Sequence, residues 1–380
     1  MVSKRYLFTP GPTPVPPEVL AAISQPIIHH RGADFRALYE RCLQRLREVF
    51  RTESEVLMFA ASGTGAMESA VANLCAPGER VLVVSAGYFG ERWAAIARAY
   101  GCDVDELRYE WGAIPAAEDV AERGRGAKAV LLTQSETSTG VVADVQALTA
   151  AARHVGALAV VDAVSSLGAV PLETDAWGVD VVISGSQKAL MTPPGLALVS
   201  VSDAAWAQLS SSPRFYFDWE RTRTAQARLD AAFTPAVSLV AGLDVALGLL
   251  LHDGLESAFA HHVRLGRACR AGVKAMGLEL FSPDDDRSSV VTAIHAPDGV
   301  DANEVVALLR DRHGITVAPG QGPLKGKVFR IGHIGWFDVF DITTALAGVE
   351  LALVELGGDV ERGVAVTRAL EAFEEAQTVR

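Results

Sequence analysis

Cysteine is scarce in this chain: Cys42, Cys75, Cys102 and Cys269 are the only four in 380 residues, and no two form a CxxC pair. Neither a zinc site nor a disulfide framework is suggested, and ordinary thiols suit a reducing compartment. Positive charge is also short. Lysine and arginine number 34 against 46 acidic residues, a net charge of -12, which argues against nucleic-acid binding and against docking on anionic membranes. Long apolar runs are missing as well. The most apolar stretch, 236–251, contains Asp244 and falls below the roughly 20 residues of a membrane span. The first seventeen residues have no apolar leader core and are broken by prolines. These absences make a cytoplasmic protein the expectation.

Hydrophobic residues make up 49% of the chain, enough for a large core and, at this length, two domains. The opening TPGPTPVPP, residues 9–17, cannot be helix or central strand, so residues 1–20 are expected to form an extended arm. Helical periodicity follows over 35–50, with Leu38, Leu43, Leu46 and Phe50 on one side. Candidate strands at 55–59, 80–85, 103–108, 128–133, 158–162, 179–184 and 196–201 then alternate with helical stretches at 67–74, 90–100 and 145–155. Runs such as AVLL and LAVV lack polar alternation, as strands buried on both faces do. Such alternation gives a mostly parallel seven-stranded α/β sheet covered by helices.

Residues 213–230 break the pattern with arginines and aromatics, and read as a loop for ligand or partner, or as a solvated linker. A helix over 235–251 closes a large domain of residues 21–253. After Gly254 come a helix over 255–276, short strands near 289–295, 314–317 and 328–331, and terminal helices. That is a smaller α+β domain of residues 254–380.

Three segments carry chemistry. AASGTGAME, residues 60–68, follows an apolar strand and opens a helix; such a turn aims free N–H groups and the positive helix end at an anion. It lacks the third glycine of a dinucleotide fingerprint, and an ordinary glycine-containing turn is the plain alternative. Asp162 ends a buried strand, at the edge where ligands bind in open α/β sheets. A carboxylate there needs a positive partner, for which a pyridinium nitrogen, a metal ion or a helix cap would each serve. Lys188 also ends a strand and is followed by the apolar Ala189, Leu190 and Met191. Burial shifts a lysine toward the neutral amine that Schiff-base chemistry needs; a snorkelling structural lysine is the alternative. Together a phosphate cradle, a strand-end acid and a strand-end lysine supply three fixed points for pyridoxal phosphate.

SGTGAME, LTQSETSTG, VVDAVSSLGAVP and SGSQKAL followed by PPG, with the PGP of Pro10 to Pro12, resemble the class V (fold type I) pyridoxal-phosphate aminotransferases, in the alanine–glyoxylate and serine–glyoxylate or –pyruvate branch. The resemblance covers essentially the whole chain. It implies that Lys188 is the Schiff-base lysine and the base for the Cα proton, and that Asp162 partners the pyridine nitrogen. It implies further that the backbone of Thr64, Gly65 and Ala66 and the side chain of Gln187 meet the phosphate. By the same resemblance Phe89 and Val164 flank the ring, Thr137 reaches the phenolic oxygen, and Arg330 grips the substrate carboxylate. Thr234 resembles a threonine that reaches the phosphate of the neighbouring subunit, which implies a homodimer. The tyrosine often found three positions earlier is Ala231 here, and that departure weakens the contact. His333 reads as a neutral hydrogen-bonded residue; the pair His29 and His30 reads as the border of the substrate entrance or as a plain turn.

A small amino acid and a 2-oxo acid are the implied substrates, exchanged by a ping-pong route. A cysteine desulfurase is disfavoured because Gln187, not histidine, precedes Lys188, and the late Cys269 falls in a helical pattern. Phosphoserine or aspartate aminotransferase is the closer rival, and a non-catalytic binding subunit is the reading from a different class.

Overall fold

The computed structural model describes residues 4–286 and 288–378. Seven strands form the main sheet, in the order Glu55–Phe59, Ala197–Val201, Val181–Gly185, Leu158–Asp162, Ala129–Thr133, Arg80–Ser85, Asp103–Arg108. The inner strands are buried along nearly their whole length, which explains their uninterrupted Val, Leu and Ala runs. Asp103–Arg108 lies at one edge of the sheet and is the most highly charged of its strands. All pairs are parallel except those of Ala197–Val201, which runs antiparallel to both neighbours.

Parallel pairing puts the carboxyl ends of Leu158–Asp162 and Val181–Gly185 side by side, with Asp162 opposite Ile183 and Thr133. The chain leaves the second of these strands directly into Ser186, Gln187 and Lys188. Asp162 and Lys188 therefore share one edge of the sheet.

The smaller C-terminal domain is built on an antiparallel sheet of Val291–His295, Val328–Gly332 and Ala318–Pro319. The helices Ala302–His313, Val339–Glu355 and Val364–Thr378 accompany it. The Leu255–Ala275 helix joins the two cores: Leu255 and Phe259 pack in the large one, and Leu265, Cys269 and Val273 in the small one. No single helix among the described residues is long and apolar enough to cross a membrane.

The start of the N-terminal arm is held by the small domain: Tyr6–Leu7 pairs in parallel with Ile315–Thr316, and Phe8 lies in the small core. One expectation changes. Residues 213–230 are not a plain loop, because Trp219–Gln226 is helical and capped by the Asp218 carboxylate, which accepts from Arg221 N. The anchor is Trp219, fully buried, whose backbone N–H donates to Asn73 and whose indole N–H donates to Ser69. The polar residues around it hid this anchor in the sequence pattern.

Candidate active site

Lys188 is buried at 8% exposure, and its Nζ donates to the carbonyl of Pro10 at 2.8 Å. Thr13 fixes the same turn by donating from its backbone N–H to Gln187 O and from its hydroxyl to Lys188 O. The proline-rich segment thus lies directly on the lysine. Gly11 makes this possible: a Cβ there would come within 2.3 Å of Lys188 Cδ and Cε.

Burial lowers the Lys188 pKa to about 8, with the charge of Asp162 acting in the opposite sense. Burial raises Asp162 to about 7, opposed by the N–H of Val164, which donates to Asp162 Oδ1 at 2.8 Å. A buried acid and a buried amine, both brought toward neutral pH, mark a site for proton transfer.

Two cavities meet at Lys188, Gly11 and Phe89. The first, about 250 Å³, is lined also by Thr64, Asp162, Val164 and Gln187. The second, about 370 Å³, is lined also by Thr137 and Arg330 of the expected residues, and opens between the main sheet and the C-terminal domain. The structure therefore brings eight of the expected residues to one place. Thr234 is exposed and lies outside both cavities of its own chain.

At the mouth of the first cavity the Gly63–Leu74 helix begins, preceded by Ser62 with no side-chain cap. The N–H groups of Gly65 and Ala66 both turn back onto Ser62 O, at 2.8 and 3.3 Å. The first-turn donors not directed at Ser62 are the N–H groups of Gly63 and Thr64. Gly65 also packs closely against Ala61 and Phe217, and Ala66 lies in the core. Gly63 must lack a side chain because Val164 Cγ2 would lie 2.7 Å from its Cβ.

The buried Oε1 of Gln187 has no protein partner, and the space at Gly185 touches both that atom and Gly63 N. A phosphate takes donors only, so it is the Nε2 end of this amide, beside the helix N-terminus, that fits the phosphate of pyridoxal phosphate. Asp162 fits its ring nitrogen, and Lys188 its aldehyde.

Arg330 is held in the second cavity by three bonds. Nε and Nη2 donate to Pro319 O, and Nη1 donates to Thr137 O at 2.6 Å. Three of the five guanidinium N–H groups are thus used, leaving one on each terminal nitrogen, the fork that matches two carboxylate oxygens. Burial lowers its pKa to about 10, and it stays charged.

Two residues escaped the sequence reading. Glu136 is buried; its carboxylate accepts from Phe89 N, Gly90 N, Ser138 N and Ser138 Oγ, and so fixes Phe89 and the Thr137 turn. Burial raises its pKa. Gly87 is required beside it, since a Cβ would meet Glu136 Cγ at 2.5 Å. Arg92 lines the first cavity. Both residues lie in the quoted motifs or near them, but only contact with Phe89 reveals their part.

His333 bonds as expected: one ring nitrogen meets Ser289 O and the other Thr292 Oγ1, each at 3.0 Å. His29 and His30 line neither cavity. All four cysteines are buried and unpaired.

The model of the family described as aminotransferase class-V matches residues 5–326. The "soluble hydrogenase 42 kDa subunit" of Anabaena cylindrica is 41% identical, over 98% of this chain and all of that one. The serine–glyoxylate aminotransferase of Methylorubrum extorquens is 37% identical, over 96% of this chain and 95% of that one. The crystal structure of ureidoglycine–glyoxylate aminotransferase from Bacillus subtilis superposes with a TM-score of 0.93 at 31% identity, covering 98% of this chain and 99% of that one. With its large mostly parallel sheet, its smaller C-terminal domain and this lysine-centred site, the chain belongs to the class V aminotransferases of fold type I.

Proposed function

We propose that the protein is a pyridoxal-phosphate aminotransferase that moves the amino group of alanine or serine to glyoxylate or pyruvate. The observation that carries this reading is the position of Lys188 at the junction of the two cavities, with Asp162 in one and Arg330 in the other. The first cavity would hold the cofactor and the second the amino acid. Of the relatives above, two are named for amino transfer to glyoxylate, which supports that acceptor.

When bound, pyridoxal phosphate supplies an electron sink for charge that develops at the amino acid Cα. Gly63, Thr64 and Gln187 hold the phosphate, and Phe89 and Val164 face the ring. Asp162 pairs with the ring nitrogen; that positive partner offsets the cost of its buried charge. Arg330 orients the substrate by its carboxylate. Lys188 Nζ, with a pKa near 8 and the Pro10 carbonyl as its resting partner, moves the proton off Cα as general base.

We infer a homodimer in which Thr234 reaches the partner's cofactor. Support comes from the exposed Phe215 and Tyr216, which pack on Phe233 next to Thr234 outside the chain's own site. Sedimentation of a monomer under active conditions would remove this part of the reading. The buried free thiols are compatible with the proposed cytoplasmic setting, which fractionation of cells expressing the native protein tests.

The donor–acceptor reading is tested on cofactor-loaded protein. Alanine or serine should bleach its visible band, and glyoxylate or pyruvate should restore it. A band unmoved by either donor contradicts the proposal, and a response to phosphoserine or aspartate alone transfers it to the rival aminotransferases.

A further inference from the structure

We propose that Arg92 is the cationic member of the cofactor's phosphate site; this rests on the cofactor reading above. Arg92 stands one helical turn after Phe89 in the Tyr88–Ala99 helix and lines the first cavity. Its Nη1 donates to Thr64 Oγ1 at 2.9 Å. Its guanidinium carbon lies 4.7 Å from the centre of the Phe89 ring and 5.2 Å from that of Tyr88. Among the described residues no carboxylate pairs with it, whereas Arg80 and Arg98 nearby are each paired with an acid.

A half-buried guanidinium without a carboxylate, facing a cavity, is a site for an anion that comes from outside. The hydrogen-bond directions agree. Thr64 Oγ1 accepts from Arg92, so the hydroxyl proton is left to donate elsewhere. Thr64 N–H is likewise not turned back on Ser62. Around Thr64 the chain thus collects a backbone N–H, a hydroxyl and a guanidinium at the positive end of the Gly63–Leu74 helix. The ligand that uses all of these is a phosphate monoester dianion. By stacking on Phe89, Arg92 also ties the phosphate end of the site to the ring-binding aromatic.

The test compares two aldehydes that differ only in the phosphate. Protein freed of cofactor is titrated with pyridoxal phosphate and with pyridoxal, and covalent capture is read by absorbance, for wild type, Arg92→Met and Arg92→Lys. Arg92→Met should weaken pyridoxal phosphate by about tenfold or more and leave pyridoxal within about twofold, with Arg92→Lys between wild type and Met. Inorganic phosphate should compete with pyridoxal phosphate more weakly in Arg92→Met than in wild type. Equal weakening of both aldehydes would overturn the proposal, because Arg92 would then act only through packing on Phe89. Unchanged affinity for both overturns it too. Pyridoxal capture by the variants serves as the control for folding. A wild-type protein that captures neither aldehyde sinks the cofactor reading itself, a result distinct from the other two.

Discussion

Lys188 Nζ meets the carbonyl oxygen of Pro10 at 2.8 Å, across 178 positions of chain. The N-terminal segment is therefore part of the catalytic wall, seated on the lysine through Gly11 and Thr13. Gly11 has φ +146°, and a methyl group there would overlap three atoms of the Lys188 side chain. Gly11→Ala should lower turnover by about a hundredfold or more, in line with the effect of misplacing a catalytic group by an ångström. Turnover and thermal midpoint measured together check this: loss of activity with a retained midpoint is expected, and an unimpaired enzyme would refute the contact.

Burial gives Lys188 a pKa near 8 rather than its ordinary 10.5. Only the neutral amine attacks an aldehyde, so capture of pyridoxal phosphate by the cofactor-free protein should accelerate as pH rises to about 8 and then level off. Stopped-flow absorbance follows this directly. A rate still climbing above pH 10 would mean an ordinary solvated lysine.

Arg330 has two N–H groups left for a carboxylate after its bonds to Thr137 and Pro319. Arg330→Ala removes them and should raise KM for amino donors by about 30-fold or more, the scale of a lost buried charge pair. Simple amines without a carboxylate should be affected far less. If donors and amines lose equally, the arginine acts only by bracing the Thr137 turn.

His262 and His333 are fully buried, and burial lowers their pKa values from 6.5 to about 4 and about 3. The unfolded chain binds protons on these residues below pH 6.5, which the folded chain refuses. Their contribution to stability is thus complete above pH 6.5 and is lost as pH falls toward 4, by about 2 kcal/mol each at pH 5. Thermal midpoints across this range should fall less steeply for His333→Gln than for wild type. Parallel profiles would contradict this.

The sheet was legible because its strands are buried on both faces, which leaves unbroken runs such as LAVVD and VVISG. The reversed direction of Ala197–Val201 was not, since both faces of that strand are equally apolar. Asp162 and Lys188 could be found because a charge at the end of an apolar strand is conspicuous; Arg330, in the middle of Val328–Gly332, is placed by the family resemblance. Glu136 lies in a polar stretch and Arg92 in an amphipathic helix, and their importance comes from partners 46 to 47 and 28 positions away. The direction of individual N–H groups, which separates Gly63 and Thr64 from Gly65 and Ala66, is a property of the helix's first turn that composition does not carry.

The central claim is that Lys188 forms the covalent bond to the cofactor. Protein loaded with pyridoxal phosphate, reduced with borohydride, digested and sequenced by mass spectrometry tests it most directly. The pyridoxyl group should sit on the peptide containing Ser186, Gln187 and Lys188, and should be absent from Lys188→Ala treated in the same way. A label on another lysine, or an equal label in the variant, would contradict the account.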